Sequence, residues 1–168
     1  MRSLASRLKR RVFSNSQPAG EQQLAGRFQP YSHTLPNRYP WLFEFAAANL
    51  AKAEDCRLLC FGCSRGDEVF ALRDYIPCAD IKGIDIVPAN VALCDARALK
   101  NRVARVSFAA APNTVDEPSS HYDAIFCLAV LCHGDVTARR AQRCDPLIRF
   151  EDFSRAVSDF ERCLKPGG

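Results

Sequence analysis

The chain has 168 residues, 48% of them hydrophobic, and 23 Lys and Arg against 19 Asp and Glu give a formal net charge of +4. That length and apolar content support one domain with a real core, and no apolar run approaches the roughly 20 residues needed to cross a bilayer. The charge is lopsided: Arg2, Arg7, Lys9, Arg10, Arg11, Arg27 and Arg38 stand against Glu21 alone in residues 1–40, so the remainder is slightly acidic.

Residues 1–20 are rich in Arg and Ser and contain no acid, the composition of a mitochondrial transit peptide, and they lack the apolar core of a secretory signal. A solvated basic tail explains the same residues more simply. Such an arm touches nucleic acid, an acidic protein or a membrane surface through charge alone. Pro18, Pro30, Pro36 and Pro40 with Gly20 and Gly26 mark residues 12–40 as a linker or lead-in. Residues 1–39 are therefore set apart as an arm and residues 40–168 as the folded domain.

Pro40 suits a first helical position, and residues 41–50 read as a helix with a strongly apolar face. Residues 57–61 read as a strand that stops at Gly62. Residues 66–75 read as a helix, with Asp67 and Glu68 well placed in its first turn. Residues 81–86 form a second strand. Pro88 opens the next helix, which runs through Leu93, Ala96 and Leu99 to about Lys100. Residues 106–109 are a short third strand, and residues 111–121 a polar loop with Pro112 and Pro118. Residues 122–128 read as a fourth strand whose near-continuous apolarity suits a parallel sheet covered on both faces. Residues 134–148 are arginine-rich and irregular. A last helix carries Phe150, Phe153, Val157, Phe160 and Leu164 on one stripe, and Lys165-Pro166-Gly167-Gly168 stops it. Strands alternating with helices predict an α/β sheet with right-handed crossovers.

Cysteine is abundant, at positions 56, 60, 63, 78, 94, 127, 132, 144 and 163. Most lie inside apolar runs, where thiols behave as small hydrophobes. With an odd count and no secretory signal, a reducing compartment is expected, cytoplasmic by preference and mitochondrial if the N-terminus is a leader. Cys60-x-x-Cys63 invites a zinc or redox reading. Zinc needs a second ligand pair, and the adjacent Cys132-His133 is a poor one, so no metal is expected.

The most informative stretch is Leu58-Leu59-Cys60-Phe61-Gly62-Cys63-Ser64-Arg65-Gly66, followed by Gly83-Ile84-Asp85-Ile86. A glycine-rich first βα turn with an acid at the end of the next strand is a nucleoside-binding pattern. With Tyr122-Asp123-Ala124-Ile125-Phe126-Cys127 and Leu164-Lys165-Pro166-Gly167-Gly168 in order behind them, these motifs resemble the class I S-adenosylmethionine-dependent methyltransferases over about residues 40–168. Cys63-Ser64-x-Gly66-x-Glu68 and Ile125-Phe126-Cys127-x-x-Val130-Leu131 are similar to the chemotaxis-receptor methyltransferases within that family.

The resemblance implies a Rossmann-like, mostly parallel sheet with helices on both faces. It implies S-adenosylmethionine as cofactor and an unidentified protein or small-molecule methyl acceptor. Its cofactor-binding positions fall on Gly62, Cys63, Ser64, Gly66, Asp85 and Ile86. Asp85 would take the ribose hydroxyls, and Gly62 and Gly66 would bring backbone donors to the methionine part. Cys127 and Leu128 are placed in the pocket because such sheets bind ligands at their carboxyl ends. His133 follows that strand and could serve as a base, although a solvated or packing histidine explains it as well, so no catalytic residue is assigned.

The departures from the family are specific. Cys60 stands where it usually has an acid, Ser64 replaces the central glycine, and Ala110, Ala111 and Pro112 stand where an acid or Asn often meets adenine. The absence of an Asp/Asn-Pro-Pro-aromatic signature argues against a nucleic-acid substrate. The family continues from the Pro-Gly-Gly turn into a fifth strand, so a chain ending at Gly168 is expected to be incomplete, with an apolar fourth-strand edge prone to self-association or to a partner. A nicotinamide-dependent oxidoreductase is the alternative enzyme, weakened by Ser64 and Asp67 where its fingerprint needs glycine. A non-catalytic binding module is the alternative outside enzymes.

Overall fold

The computed structural model describes residues 27–50, 55–138, 140, 142–145 and 147–168. Their order is α1 (Pro40–Leu50), β1 (Arg57–Phe61), α2 (Asp67–Tyr75), β2 (Asp80–Asp85), α3 (Pro88–Asn101), β3 (Val106–Ala110), β4 (Ala124–Phe126), α4 (Gly134–Ala138) and α5 (Phe150–Cys163). The strands form one sheet in the order β3-β2-β1-β4. Every pairing is parallel, with Cys60 opposite Gly83 and Phe126. The chain order leaves the first strand in the interior and reverses beside it, the place where open α/β sheets open a ligand crevice.

β1 shows why both faces must be covered. Leu58 and Cys60 join Phe43, Leu72, Ile81 and Phe126 in one cluster, whereas Leu59 and Phe61 join Ile84, Tyr122 and Cys163 in another, with Phe160 packed against it. Alternate residues of one strand thus feed two cores, the layering of an α/β sandwich. Gly83 allows this packing: a Cβ there would lie 2.8 Å from Phe108 Cδ1 and 2.9 Å from Cys63 Sγ.

The first three strands and the helices between them lie within a residue or two of the sequence expectation. The fourth strand does not. It has three residues rather than residues 122–128. Tyr122 makes a single parallel bridge to Leu164, and Asp123 is a junction residue. Its carboxylate accepts from Arg57 N–H at 2.8 Å and from Lys165 Nζ at 2.7 Å. Past Phe126 the chain leaves the sheet and reaches Ala129 at φ +57°. Residues 134–148, read as irregular, contain α4.

The apolar stripe of α5 is also not the buried face that its periodicity suggests. Phe160 packs edge-on against Phe61 at 5.0 Å between centroids, but Phe150 is 73% exposed and Phe153 and Val157 are partly exposed as well. In α1, Phe43 and Ala46 are buried while Trp41 and Phe45 point outward, so the helix is apolar on more than one face. The basic residues 2–11 lie outside the described residues. Among the described residues no helix is long and apolar enough to cross a membrane.

Candidate functional site

The site begins where β1 stops. Gly62 and Gly66 have φ of +69° and +82°, and Ser64 between them has φ +49°. The first two conformations suit glycine; the third places a serine in the left-handed region at some cost. The loop is tied to β2 and to itself. Gly62 and Cys63 N–H donate to the Ile84 carbonyl at 2.8 and 2.9 Å, and Gly66 N–H donates to the Cys63 carbonyl at 2.8 Å. The backbone donors of Gly62 and Gly66, expected to face a ligand, are therefore engaged within the protein, the first by β2 and the second by the turn itself. Gly62 has a steric reason as well, since a Cβ there would sit 2.5 Å from Val130 Cγ2. Gly62→Ala is expected to destabilise the fold by about 1–3 kcal/mol through overpacking and backbone strain. Adding Val130→Ala should recover the overpacking part, which a double-mutant cycle in denaturant measures.

Asp85, at the end of β2, organises this loop. Its carboxylate accepts from Ser64 N–H at 2.7 Å, Val87 N–H at 2.9 Å and Asn90 Nδ2 at 3.0 Å, and the residue is 7% exposed. A carboxylate has about four lone-pair directions, so room for one more donor remains.

Residues 27–38 form the opposite wall. Ser64 Oγ donates to the Ser32 carbonyl at 3.2 Å, Asn90 Nδ2 reaches Ser32 Oγ at 3.4 Å, and Thr34 Oγ1 donates to Glu68 Oε2 at 3.3 Å. Across the crevice, Tyr31 Oη donates to Asp135 Oδ1 at 3.1 Å and Gly134 N–H donates to Gln29 Oε1 at 3.4 Å. The lead-in is thus a strap tied to both rims. Nothing in its Pro-containing sequence signals this, because its partners lie far away in the chain.

Between strap and sheet lies a cavity of about 270 Å³. Gly62, Ser64, Asp85, Ile86 and Leu128 line it. Cys63, Gly66 and Cys127 do not. Cys63 is buried in the core beside Gly83, Gly66 faces Phe70 and Cys94, and Cys127 packs on the second cluster. Ala111 and Pro112 form part of the wall, so the β3 end brings no acid to the cavity. His133 accepts from Asp135 N–H at Nδ1 (3.2 Å) and is not in the lining. Among the described residues no group of three or more His, Cys, Asp or Glu gathers to hold a metal ion.

Three charged groups that sequence reasoning passed over as site residues, Glu68, Arg27 and Arg38, also line the cavity. Burial pushes the Glu68 carboxyl above its ordinary value, against the opposing influence of the Thr34 hydroxyl and Arg38. Cys60 is a buried thiol, raised by desolvation and further by the charge of Glu68. A carboxylate is therefore present near the β1 terminus, carried by α2 rather than by the strand. Glu68 stands in the helix's first turn, and its distance from Gly66 is the signal that could have marked it.

The arrangement joins apolar walls (Ile86, Val87, Ala111, Leu128), an acceptor at Asp85, and opposite charges at Glu68 and Arg38. That donor set fits a nucleoside joined to an amino acid.

Comparison with known proteins agrees. The methyltransferase domain model matches residues 59–168. The fold is similar to the [4+2]-cyclase SpnF, at 23% identity and TM-score 0.56, covering 76% of this chain and 42% of that one. It is similar to the YcgJ protein of Bacillus subtilis, at 18% and 0.55, covering 77% and 48%. A putative S-adenosyl-L-methionine-dependent methyltransferase of Methanococcus maripaludis gives 15% and 0.52, covering 77% and 54%. The chain thus spans about half the length of these solved structures. No curated protein matches the sequence. With the family model covering well over half of the residues, on the sheet and glycine turn just described, the chain belongs to the class I S-adenosylmethionine-dependent methyltransferase family.

Proposed function

We propose that the chain binds S-adenosylmethionine in the strapped cavity and transfers its methyl group to a protein or small-molecule acceptor in a reducing, cytoplasmic setting. The observation that carries this reading is the cavity's composition: one buried carboxylate at the β2 terminus, apolar walls, and a second carboxylate and two guanidiniums in the same space. Asp85 has a lone pair left for a ribose hydroxyl after holding Ser64, Val87 and Asn90. Ile86, Val87 and Ala111 offer the apolar surface that a purine packs against. Glu68 and Arg38 offer the partners that an ammonium and a carboxylate need.

When bound, the cofactor would supply an electrophilic methyl group on its sulfonium, with Asp85, Glu68 and Arg38 as the residues that would hold it. The protein's part is alignment and exclusion of water. The strap serves both ends, because Ser32 and Thr34 fix it against the glycine loop and α2.

The test compares S-adenosylhomocysteine with methylthioadenosine, which keeps the nucleoside and thioether but lacks the amino acid. The full chain is expected to bind the former at least tenfold more tightly, and Glu68→Gln to narrow that gap. Equal binding of the two contradicts the roles of Glu68 and Arg38.

The same variant carries a pH prediction. The folded value of Glu68 is raised, so its contribution favours the fold below the ordinary value of 4.5 and is lost as pH rises through the raised value. At neutral pH the desolvated charge opposes folding. Glu68→Gln should therefore raise the melting temperature at pH 7 while weakening cofactor binding, and the thermal gain should fade toward pH 4.

A further inference from the structure

We infer that Ser64 and Asn90 are positioning residues that fasten the strap to Asp85, so that closing of the strap and binding of the cofactor are one coupled event; this rests on the cofactor reading above. Each of the two makes one contact with the acid and one with Ser32. Ser64 N–H donates to Asp85 Oδ2 at 2.7 Å, and its Oγ donates to the Ser32 carbonyl at 3.2 Å. Asn90 Nδ2 donates to Asp85 Oδ1 at 3.0 Å and to Ser32 Oγ at 3.4 Å. Each bridge thus uses one carboxylate oxygen and one polar atom of Ser32, and the four residues close a ring.

Neither residue is the one that the local fold alone would favour. Ser64 sits at φ +49°, where serine is more strained than glycine, and the hydroxyl is what the serine adds. This is the position at which the sequence departs from the glycine of its family, and the bond to the strap gives that departure a use. Asn90 lies on the buried face of α3 with Val91 and Cys94 and is 7% exposed. An amide buried there is unfavourable unless its hydrogens are paired, and an apolar side chain would suit the core better. Its nitrogen meets Asp85 on one side and the strap on the other.

The ring joins the acid assigned to the ribose with the wall that faces it, and Ser32, Ser64 and Asp85 all line the cavity. When the strap lifts, Ser64 and Asn90 lose their Ser32 contacts, and the two groups that orient Asp85 lose a restraint. A ribose hydroxyl on the remaining lone pair of Asp85 restrains the same carboxylate from inside the cavity. Coupling of this kind is reciprocal: by whatever factor the closed strap favours the cofactor, the cofactor favours the closed strap. The strap must also lift before a cofactor beneath it can leave.

The experiment measures release of S-adenosylhomocysteine from the full chain, and amide hydrogen exchange of residues 29–34 with and without it. In the parent, binding is expected to slow exchange of those amides by about tenfold or more. Ser64→Gly and Ser32→Ala each remove one hydroxyl and cut one bridge, and each should speed release severalfold and reduce the protection. Together they cut both bridges yet leave Asp85 its three donors, so the double variant should still bind S-adenosylhomocysteine while its strap gains no protection. Asn90→Leu and Ser32→Ala cut the same bridge, so combining them should reduce the protection no further than Asn90→Leu alone. A purely structural role would lower the melting temperature and leave the protection by ligand intact. Strap amides that gain no protection in the parent, or a Ser64→Gly, Ser32→Ala variant that keeps the parent's protection and release rate, overturn the coupling while the cofactor reading stands. Failure of S-adenosylhomocysteine to bind the parent overturns both.

Discussion

Asp85→Ala is expected to lose about 3 kcal/mol or more of folding stability and to abolish measurable binding of S-adenosylhomocysteine. Ser64 N–H, Val87 N–H and the Asn90 amide all donate to this carboxylate, which is nearly shielded from water. Each buried donor left unpaired is destabilising by roughly 1–3 kcal/mol. Partial entry of water into the space left by the side chain keeps the sum below the additive limit. The variant also frees Ser64, whose backbone is held in the left-handed region. Asp85→Asn keeps one oxygen but turns an amide N–H2 toward groups that are themselves donors, so it should fall between alanine and the parent. Urea denaturation with linear extrapolation measures the loss. A stability change below about 0.5 kcal/mol, the level of an ordinary surface substitution, would mean that Asp85 neither builds the loop nor holds the cofactor.

Phe43→Ala should lose about 3–5 kcal/mol, the range for removing a fully buried aromatic. Phe43 is 0% exposed and packs against Tyr75 at 5.8 Å and Phe126 at 6.1 Å between ring centroids. Through these contacts α1 is locked onto α2 and β4. The helix precedes residues 59–168, the part that the family model matches. A large effect on a single cooperative transition therefore shows that α1 belongs to the same folding unit as the cofactor turn. Trp41→Ala, two positions away and 67% exposed, is the control and should change stability little. If the two variants behave alike, α1 is an appendage.

The sequence was most legible where glycine and proline punctuate it. Pro40 and Pro88 begin α1 and α3, and Gly62 ends the run after β1. Asp85 is the terminal residue of β2, as its motif implied. Apolar sequence was a poor guide to where regular structure ends and which face is covered. Cys127 and Leu128 are apolar but lie past the end of β4, in irregular chain; Cys127 packs on the second core cluster and Leu128 alone of the two lines the cavity. Phe150 and Phe153 have helical spacing but face outward, because periodicity shows that a helix has an apolar side and does not show what covers it. Cys63 belongs to the glycine motif, yet its side chain is drawn into the space beside Gly83, so motif membership did not mean contact with the cavity. The strap was illegible for a different reason. Ser32 and Thr34 meet Ser64 and Glu68 through single hydrogen bonds between distant segments, and no periodicity records such pairings.

The central claim is that this glycine turn and Asp85 hold S-adenosylmethionine and not a dinucleotide. It is tested most directly by calorimetric titration of the full chain with S-adenosylhomocysteine and, separately, with NAD. Saturable one-to-one binding of S-adenosylhomocysteine, with none of NAD, is the predicted result, accompanied by thermal stabilisation of a few kcal/mol at about a hundredfold excess over the dissociation constant. Binding of NAD without binding of S-adenosylhomocysteine would contradict the account.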